Sequence, residues 1–304
     1  MEVVKEAILE GTSGAIGEPI SSGRRTEPHR SLKVVAGIDP HQPFDAVMHT
    51  LRSLSPNGMD VHLVHGFNPE PKHNARERGR TAELTLTGAR AALEASGLGA
   101  AWIQRTADPA EALIDVAEAE GADLIAIGSP IAKGGRVARA LLKRSPVSIL
   151  VARRAPPQEG IRVVLATDHS PFMNSCIRRL LAMNPGGIRE IVVLTANEVS
   201  AGAVAMLVHG LPDLSEKAEH WISEKLMEEN QRVCELLAPL GAECRAEVRE
   251  GTTSTAISKS MSETESDLLL IGAPEHCLLE KLAYGSASED QFLNAPYSVL
   301  ALRP

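Results

Sequence analysis

Aromatic residues are nearly missing from this sequence: Phe, Trp and Tyr make up 3% of 304 positions, although 43% are hydrophobic. Ala, Leu, Val and Ile must therefore build the core, which is the palette of parallel sheets flanked by helices rather than of β-sandwiches. Cysteine is scarce as well. Cys176, Cys234, Cys244 and Cys277 include no CxxC, so no zinc or redox motif and no disulfide framework is readable, and free thiols in a reducing cytosol are expected. A surplus of positive charge is also lacking, since the formal net charge is −8. A nucleic-acid partner would need a broad basic surface to displace counterions. No apolar run reaches the about 18 residues that span a bilayer. The start, "MEVVKEAILEG", carries acidic residues and lacks the apolar centre of a signal peptide. A cytoplasmic protein with no membrane partner is expected.

What the sequence does hold is a repeat of itself, which changes the meaning of every other motif. Two apolar segments end alike, "KVVAGIDP" at Asp39 and "RVVLATDHSP" at Asp168. Two more run into a glycine, "ADLIAIGSP" at Gly128 and "SDLLLIGAP" at Gly272. A third pair, "SPVSILVARR" and "APYSVLALRP", closes each copy. Three matched pairs in one order make a duplication. The second copy is longer in its middle, near "NEVSAGAVAMLVHGLPDLSEKAEHW", and in its last loop. The expected division is an N-terminal extension over residues 1–30, a first domain over 31–153, a linker over 154–160 rich in proline, and a second domain over 161–304.

Within each copy, strands and amphipathic helices alternate. The first copy places strands near Val34–Ile38, Val61–His65, Ala101–Gln104, Leu124–Ile127 and Ser148–Ala152. One helix carries its own punctuation: in "DPAEALIDVAEAEGAD", Asp108 is an N-cap, Pro109 the first helical residue and Gly121 the stop. Such alternation implies right-handed crossovers and a parallel sheet covered on both faces. The fold expected is α/β, two tandem doubly wound five-stranded parallel-sheet domains.

Ligands of such sheets bind beyond the carboxyl ends of the strands, where Asp39, Asp168, Gly128 and Gly272 stand. Two roles fit the aspartates: accepting hydrogen bonds from a ribose or an amine, or capping the next helix. A glycine after the fourth strand lets the backbone approach a phosphate, with a helix N-terminus beyond it. In the second copy, Gly285 and Ser286 add a further turn and a hydroxyl before a helix. In the first, "GSPIAKGGRVARALLKR" sets Gly134 and Gly135 between Lys133 and Arg136, which suits either an anion cradle or a solvent-facing turn.

The order of these segments, with "DLLLIGAP" followed by "YGSASEDQFLNAPYSVLALRP", resembles the universal stress protein family over residues 33 to 304, as a tandem member. The resemblance implies two domains about a pseudo-two-fold axis, paired through their last strands, so that one chain imitates a homodimer; a homodimer of chains is a further possibility. It also implies a loop of the form Gly-x2-Gly-x9-Gly-[Ser/Thr] and ATP, with Mg, as the cofactor. The second copy fits at Gly272 and at Gly285 and Ser286 with full spacing, but Glu275 stands at the second glycine. In the first copy Gly128 fits, Ile131 replaces the second glycine, and no closing Gly-Ser remains. The implied nucleotide ligands are Asp168, Gly272, Gly285 and Ser286, with Asp39 and Gly128 in the first copy.

Chemistry is less visible. His62 and His65 share no strand face, and the adjacent His276 and Cys277 lack partners that would make a nucleophile and base. No metal ligands or catalytic residues emerge, and the positive "KHNARERGR" suits a solvated face. A non-enzymatic, nucleotide-responsive regulatory protein is expected, in which ATP at the second copy biases a surface read by a protein partner; the alternative is a nucleotide-free interaction scaffold.

Overall fold

The structure, a computed structural model, describes residues 31–39, 44–55, 58–67, 75–95, 97–129, 135–198, 212–274 and 285–304. The expected extension over 1–30, Lys72, His73 and Asn74 of the "KHNARERGR" segment, and Ile131, Lys133, Gly134, Glu275, His276 and Cys277 lie outside the described residues. The first copy forms β1 (Leu32–Gly37), α1 (Asp45–Leu54), β2 (Met59–Gly66), α2 (Ala75–Glu94), β3 (Gly99–Arg105), α3 (Pro109–Glu120), β4 (Leu124–Gly128), α4 (Arg136–Arg144) and β5 (Ser148–Ala152). The second repeats that order as β6 (Ile161–Ala166), α5 (Pro171–Met183), β7 (Ile188–Asn197), α6 (Pro212–Leu237), β8 (Glu243–Glu250), α7 (Thr253–Glu263), β9 (Leu268–Gly272), α8 (Gly285–Asn294) and β10 (Ser298–Leu302).

All ten strands share one sheet, ordered β3-β2-β1-β4-β5-β10-β9-β6-β7-β8. Each half is parallel, and the switch in strand order falls between its first and fourth strands. The halves meet where β10 runs antiparallel to β5, with Leu300 opposite Leu150. This pairing through the last strands is the one the resemblance implies.

Strand residues alternate between two cores. Val34, Ala36, Leu150 and Leu300 face α1, α2, α5 and α6, while Val35, Ile149, Val151 and Val299 face α3, α4, α7 and α8. Being buried on both faces, the strands read as continuous apolar runs.

Helix starts follow local chemistry. Asp108 accepts a hydrogen bond from the Ala110 N–H at 3.0 Å, and Gly121 ends the helix in the left-handed region at φ 60°. Ser170 caps α5 through the Met173 N–H at 3.1 Å, with Pro171 at its first turn. Duplication extends to side chains. Asp123 accepts from the Lys33 N–H at 3.0 Å, and Asp267 accepts from the Arg162 N–H at 2.9 Å.

Contacts beyond the sheet also join the halves. Arg179 donates to Asp123 at 2.9 Å, and the Gly186 N–H caps the Leu54 carbonyl at 2.7 Å. Gly187 sits at φ 67° against α1, and a Cβ there would lie 1.8 Å from the Ser53 carbonyl oxygen. Only glycine satisfies both demands.

Candidate nucleotide site

Beyond β1 and β4, the chain opens a cleft of about 330 Å³. Gly37, Ile38 and Asp39 line it from the end of β1, Gly128 and Ser129 from the end of β4, and Gly135 and Arg136 from the start of α4. Apolar side chains from Phe44, Val64, Leu113, Ile127 and Val137 complete it. The sequence therefore places Asp39 and Gly128 together, as the strand-end argument expects. The volume falls within the range of small-molecule sites, which are mostly apolar with a few polar groups.

Each polar group has a distinct position. Asp39 is not the N-cap of α1, a position that Phe44 takes; it is exposed and lines the cleft. His65 makes a 2.9 Å bond to the Ile38 carbonyl through Nδ1. A carbonyl can only accept, so Nδ1 carries the proton. Gly135, the N-cap of α4, brings no side chain to the helix start, and the first turn holds no acidic residue. That end carries partial positive charge from unsatisfied N–H groups. Arg136 adds a guanidinium, which pairs with Asp108 at 3.2 Å. The arrangement suits a flat apolar body with hydroxyl or amine donors at one end and an anionic group at the other.

In the second domain, Asp168 and Gly272 stand at the ends of neighbouring strands β6 and β9, and Gly285 and Ser286 open α8. Asp168 is not the cap of α5 either; Ser170 is, and Asp168 accepts from the Ser170 N–H at 3.0 Å. Gly272 has a packing reason to be glycine: a Cβ there would lie 3.0 Å from the Phe172 ring and 3.2 Å from Met173 Sδ.

The strand end of this domain is tied by its own side chains. Asn230, fully buried on α6, donates to the Glu247 carbonyl at 2.7 Å, which fixes its amide so that Oδ1 takes the Thr195 hydroxyl proton at 2.7 Å. Thr195 then accepts from His169 Nε2 at 3.1 Å. Burial lowers the pKa of His169, against the pull of Glu229 and Asp168. Thr195 stands where the first domain has His65, since each follows the residue whose carbonyl receives the N–H of Ile38 or Thr167 at 2.9 Å. The two domains thus share a frame and differ in what fills it.

Sequence reasoning missed this network and the role of His65. Asn230 offered a signal, a polar residue on the apolar stripe of Leu226, Val233 and Leu237. His65 offered none, because its partner Ile38 lies in another strand's loop. Among the described residues no group of three or more His, Cys, Asp or Glu could hold a metal ion, and no helix is long and apolar enough to cross a membrane.

The Universal stress protein family profile matches residues 32–153. No curated protein matches the chain. A universal stress protein from Archaeoglobus fulgidus superposes with a TM-score of 0.62 at 18% identity, over 89% of this chain and 98% of that one. A putative universal stress protein from Pseudomonas aeruginosa gives 0.62 at 16% identity, over 90% and 93%. A functionally unknown Pseudomonas aeruginosa protein gives 0.62 at 15%, over 91% and 94%. These likenesses span both halves of the fold. Residues 32–153 thus match the universal stress protein family profile, and residues 161–304 repeat their α/β architecture.

Proposed function

We propose that the chain is a cytoplasmic, nucleotide-responsive regulatory protein that takes ATP at its strand ends and presents a changed surface to a protein partner. The observation that carries this reading is the cleft of about 330 Å³ that brings Asp39 and Gly128 before the start of α4. In it, Asp39 would accept from ribose hydroxyls, the apolar walls would hold the base, and the α4 N-terminus with Arg136 would face phosphate. Asp168, Gly272, Gly285 and Ser286 would hold nucleotide at the equivalent place in the second domain, and this is the second candidate. No catalytic role is assigned to either.

The competing reading is a nucleotide-free scaffold. It draws on Ile131 and Glu275, which stand where the family's second glycine would be, and on the Arg136 pairing with Asp108. Mass spectrometry of small molecules released from purified, undialysed protein separates the two. Recovered ATP or AMP supports binding, as does a rise in stability of about 2.7 kcal/mol at MgATP one hundred times the Kd. An empty protein whose melting ignores millimolar MgATP leaves the scaffold. ADP formed by the wild type but not by Asp39→Ala or Asp168→Ala would instead make it an enzyme.

A further inference from the structure

Helices α7 and α8 line a groove of about 490 Å³, and every described residue that lines it is polar or charged. Ala256, Ile257 and Met261 are the buried residues that hold α7 to the core. Ser254, Ser258 and Ser262, one helical turn apart, set a row of hydroxyls along the groove instead. From α8 comes Gln291, with only 6% of its surface exposed. The Tyr297 hydroxyl donates to its Oε1, which fixes the amide, and Nε2 has no acceptor among the described residues. The first half carries different chemistry at the same place. Aligning the N-caps Asp108 and Thr252, and the Leu142 and Phe292 carbonyls that accept from Arg303 and Arg153, sets Leu141 against Gln291 and Ile114 against Ser258. It also sets Glu111 against Thr255 and Arg144 against Asn294. Leu141 is fully buried and Ile114 packs on the core, while Arg144 of α4 reaches Glu111 of α3 at 3.2 Å. Asn294 turns to Asp290 of its own helix at 2.8 Å. The second half thus keeps a buried amide with unmet donors in the place of a leucine, which packing alone does not repay.

We propose that the groove between α7 and α8 binds a neutral saccharide, with Gln291 Nε2 donating to one of its oxygens. Charge excludes the other classes of polar ligand. Lys259 is balanced by Asp290, and Glu263 is already paired with Arg249, so no net positive charge is left to hold a phosphate or carboxylate. A bare cation would meet the Lys259 ammonium. Sugar hydroxyls both donate and accept, which matches a lining of serine and threonine hydroxyls, an amide donor and a carboxylate. The volume lies within the range of small-molecule sites and suits about one or two sugar rings. The proposal does not depend on nucleotide at the strand ends.

The test is saturation-transfer NMR of the full chain with glucose and with maltose at millimolar concentration, with glucose phosphate as the charged control. Heteronuclear spectra follow the side-chain amide of Gln291. The expected result is transfer to a neutral sugar, a shift of the Gln291 amide on its addition, and binding weaker by on the order of tenfold or more in Gln291→Leu and in Ser258→Ile. Both variants take the residue that the first half carries; if one does not fold, the other and the wild-type amide shift decide. No transfer to either neutral sugar, tighter binding of the sugar phosphate, an unmoved Gln291 amide, or sugar binding that Gln291→Leu leaves unchanged would overturn the proposal.

Discussion

The backbone N–H of Arg303 donates to the hydroxyl of Ser148 at 3.1 Å, and the backbone N–H of Arg153 donates to the hydroxyl of Ser298 at the same distance. Each arginine directly follows the last strand of its own half and reaches into the other half. Arg303 donates to the Leu142 carbonyl at 2.6 Å, in the last turns of α4, while Arg153 binds the Phe292 carbonyl of α8 and, at 3.0 Å, that of Tyr297. Guanidinium groups at helix C-termini meet the partial negative charge there. The seam is thus symmetric in its polar contacts as well as in its strands. Burial brings Arg153 down to about 10, with Tyr297 opposing.

That symmetry has a measurable consequence. Ser148→Ala and Ser298→Ala each leave a buried backbone N–H without its acceptor, so each should cost about 1–3 kcal/mol. Urea unfolding with an unchanged m-value is the measurement. A large effect at one serine and none at the other would mean that the seam is not held as its geometry implies.

Leu150 and Leu300 face each other at the centre of the same seam and are almost fully buried. Either leucine changed to alanine should lose about 2–5 kcal/mol through the transfer and cavity effects together. If unfolding becomes two separate transitions, the domains have their own cores and the seam couples them. A single transition at lower denaturant means that the ten strands melt as one unit.

Gly187 is a sharper probe of the contact between halves. Alanine there must hold φ near 67° and move the Ser53 carbonyl, 1.8 Å from the new Cβ. The left-handed conformation alone costs about 1–2 kcal/mol, so a larger total loss is expected. Gly121→Ala, at φ 60° with open space around it, isolates the conformational part, and the difference between the two variants measures the close approach.

Protonation should act through His169. Its folded pKa lies below the ordinary value because of burial, so the unfolded chain takes up the proton first. The stability His169 contributes is fully present above the unfolded value of about 6.5 and is lost as pH falls toward the folded value. Melting temperature should drop through this window, and His169→Asn should flatten the drop. A profile that is the same in both proteins would assign the acid sensitivity to other groups.

The fold was legible because its signals are local or periodic. Apolar runs marked the strands, Asp108, Pro109 and Gly121 marked one helix, and the duplication supplied the architecture. The placement of Asp39 beside Gly128 followed from the rule for strand ends. Less legible was whatever depends on contacts between distant segments. Asp39 and Asp168 look like helix caps in the sequence, yet Phe44 and Ser170 take those positions. Gly272 reads as a phosphate approach, yet Phe172 and Met173 already crowd the space a side chain would take. The Asn230, Thr195 and His169 chain joins three elements whose spacing in sequence carries no pattern.

The most direct test is calorimetric titration of the full chain with MgATP, using wild type, Asp39→Ala and Asp168→Ala. With the first-domain cleft as the binding site, one nucleotide should bind per chain, and Asp39→Ala should weaken it by on the order of tenfold or more, as expected for loss of about 1.4 kcal/mol or more of hydrogen bonding. Asp168→Ala should leave that binding unchanged. Binding that survives Asp39→Ala but disappears with Asp168→Ala would contradict the account and move the site to the second domain.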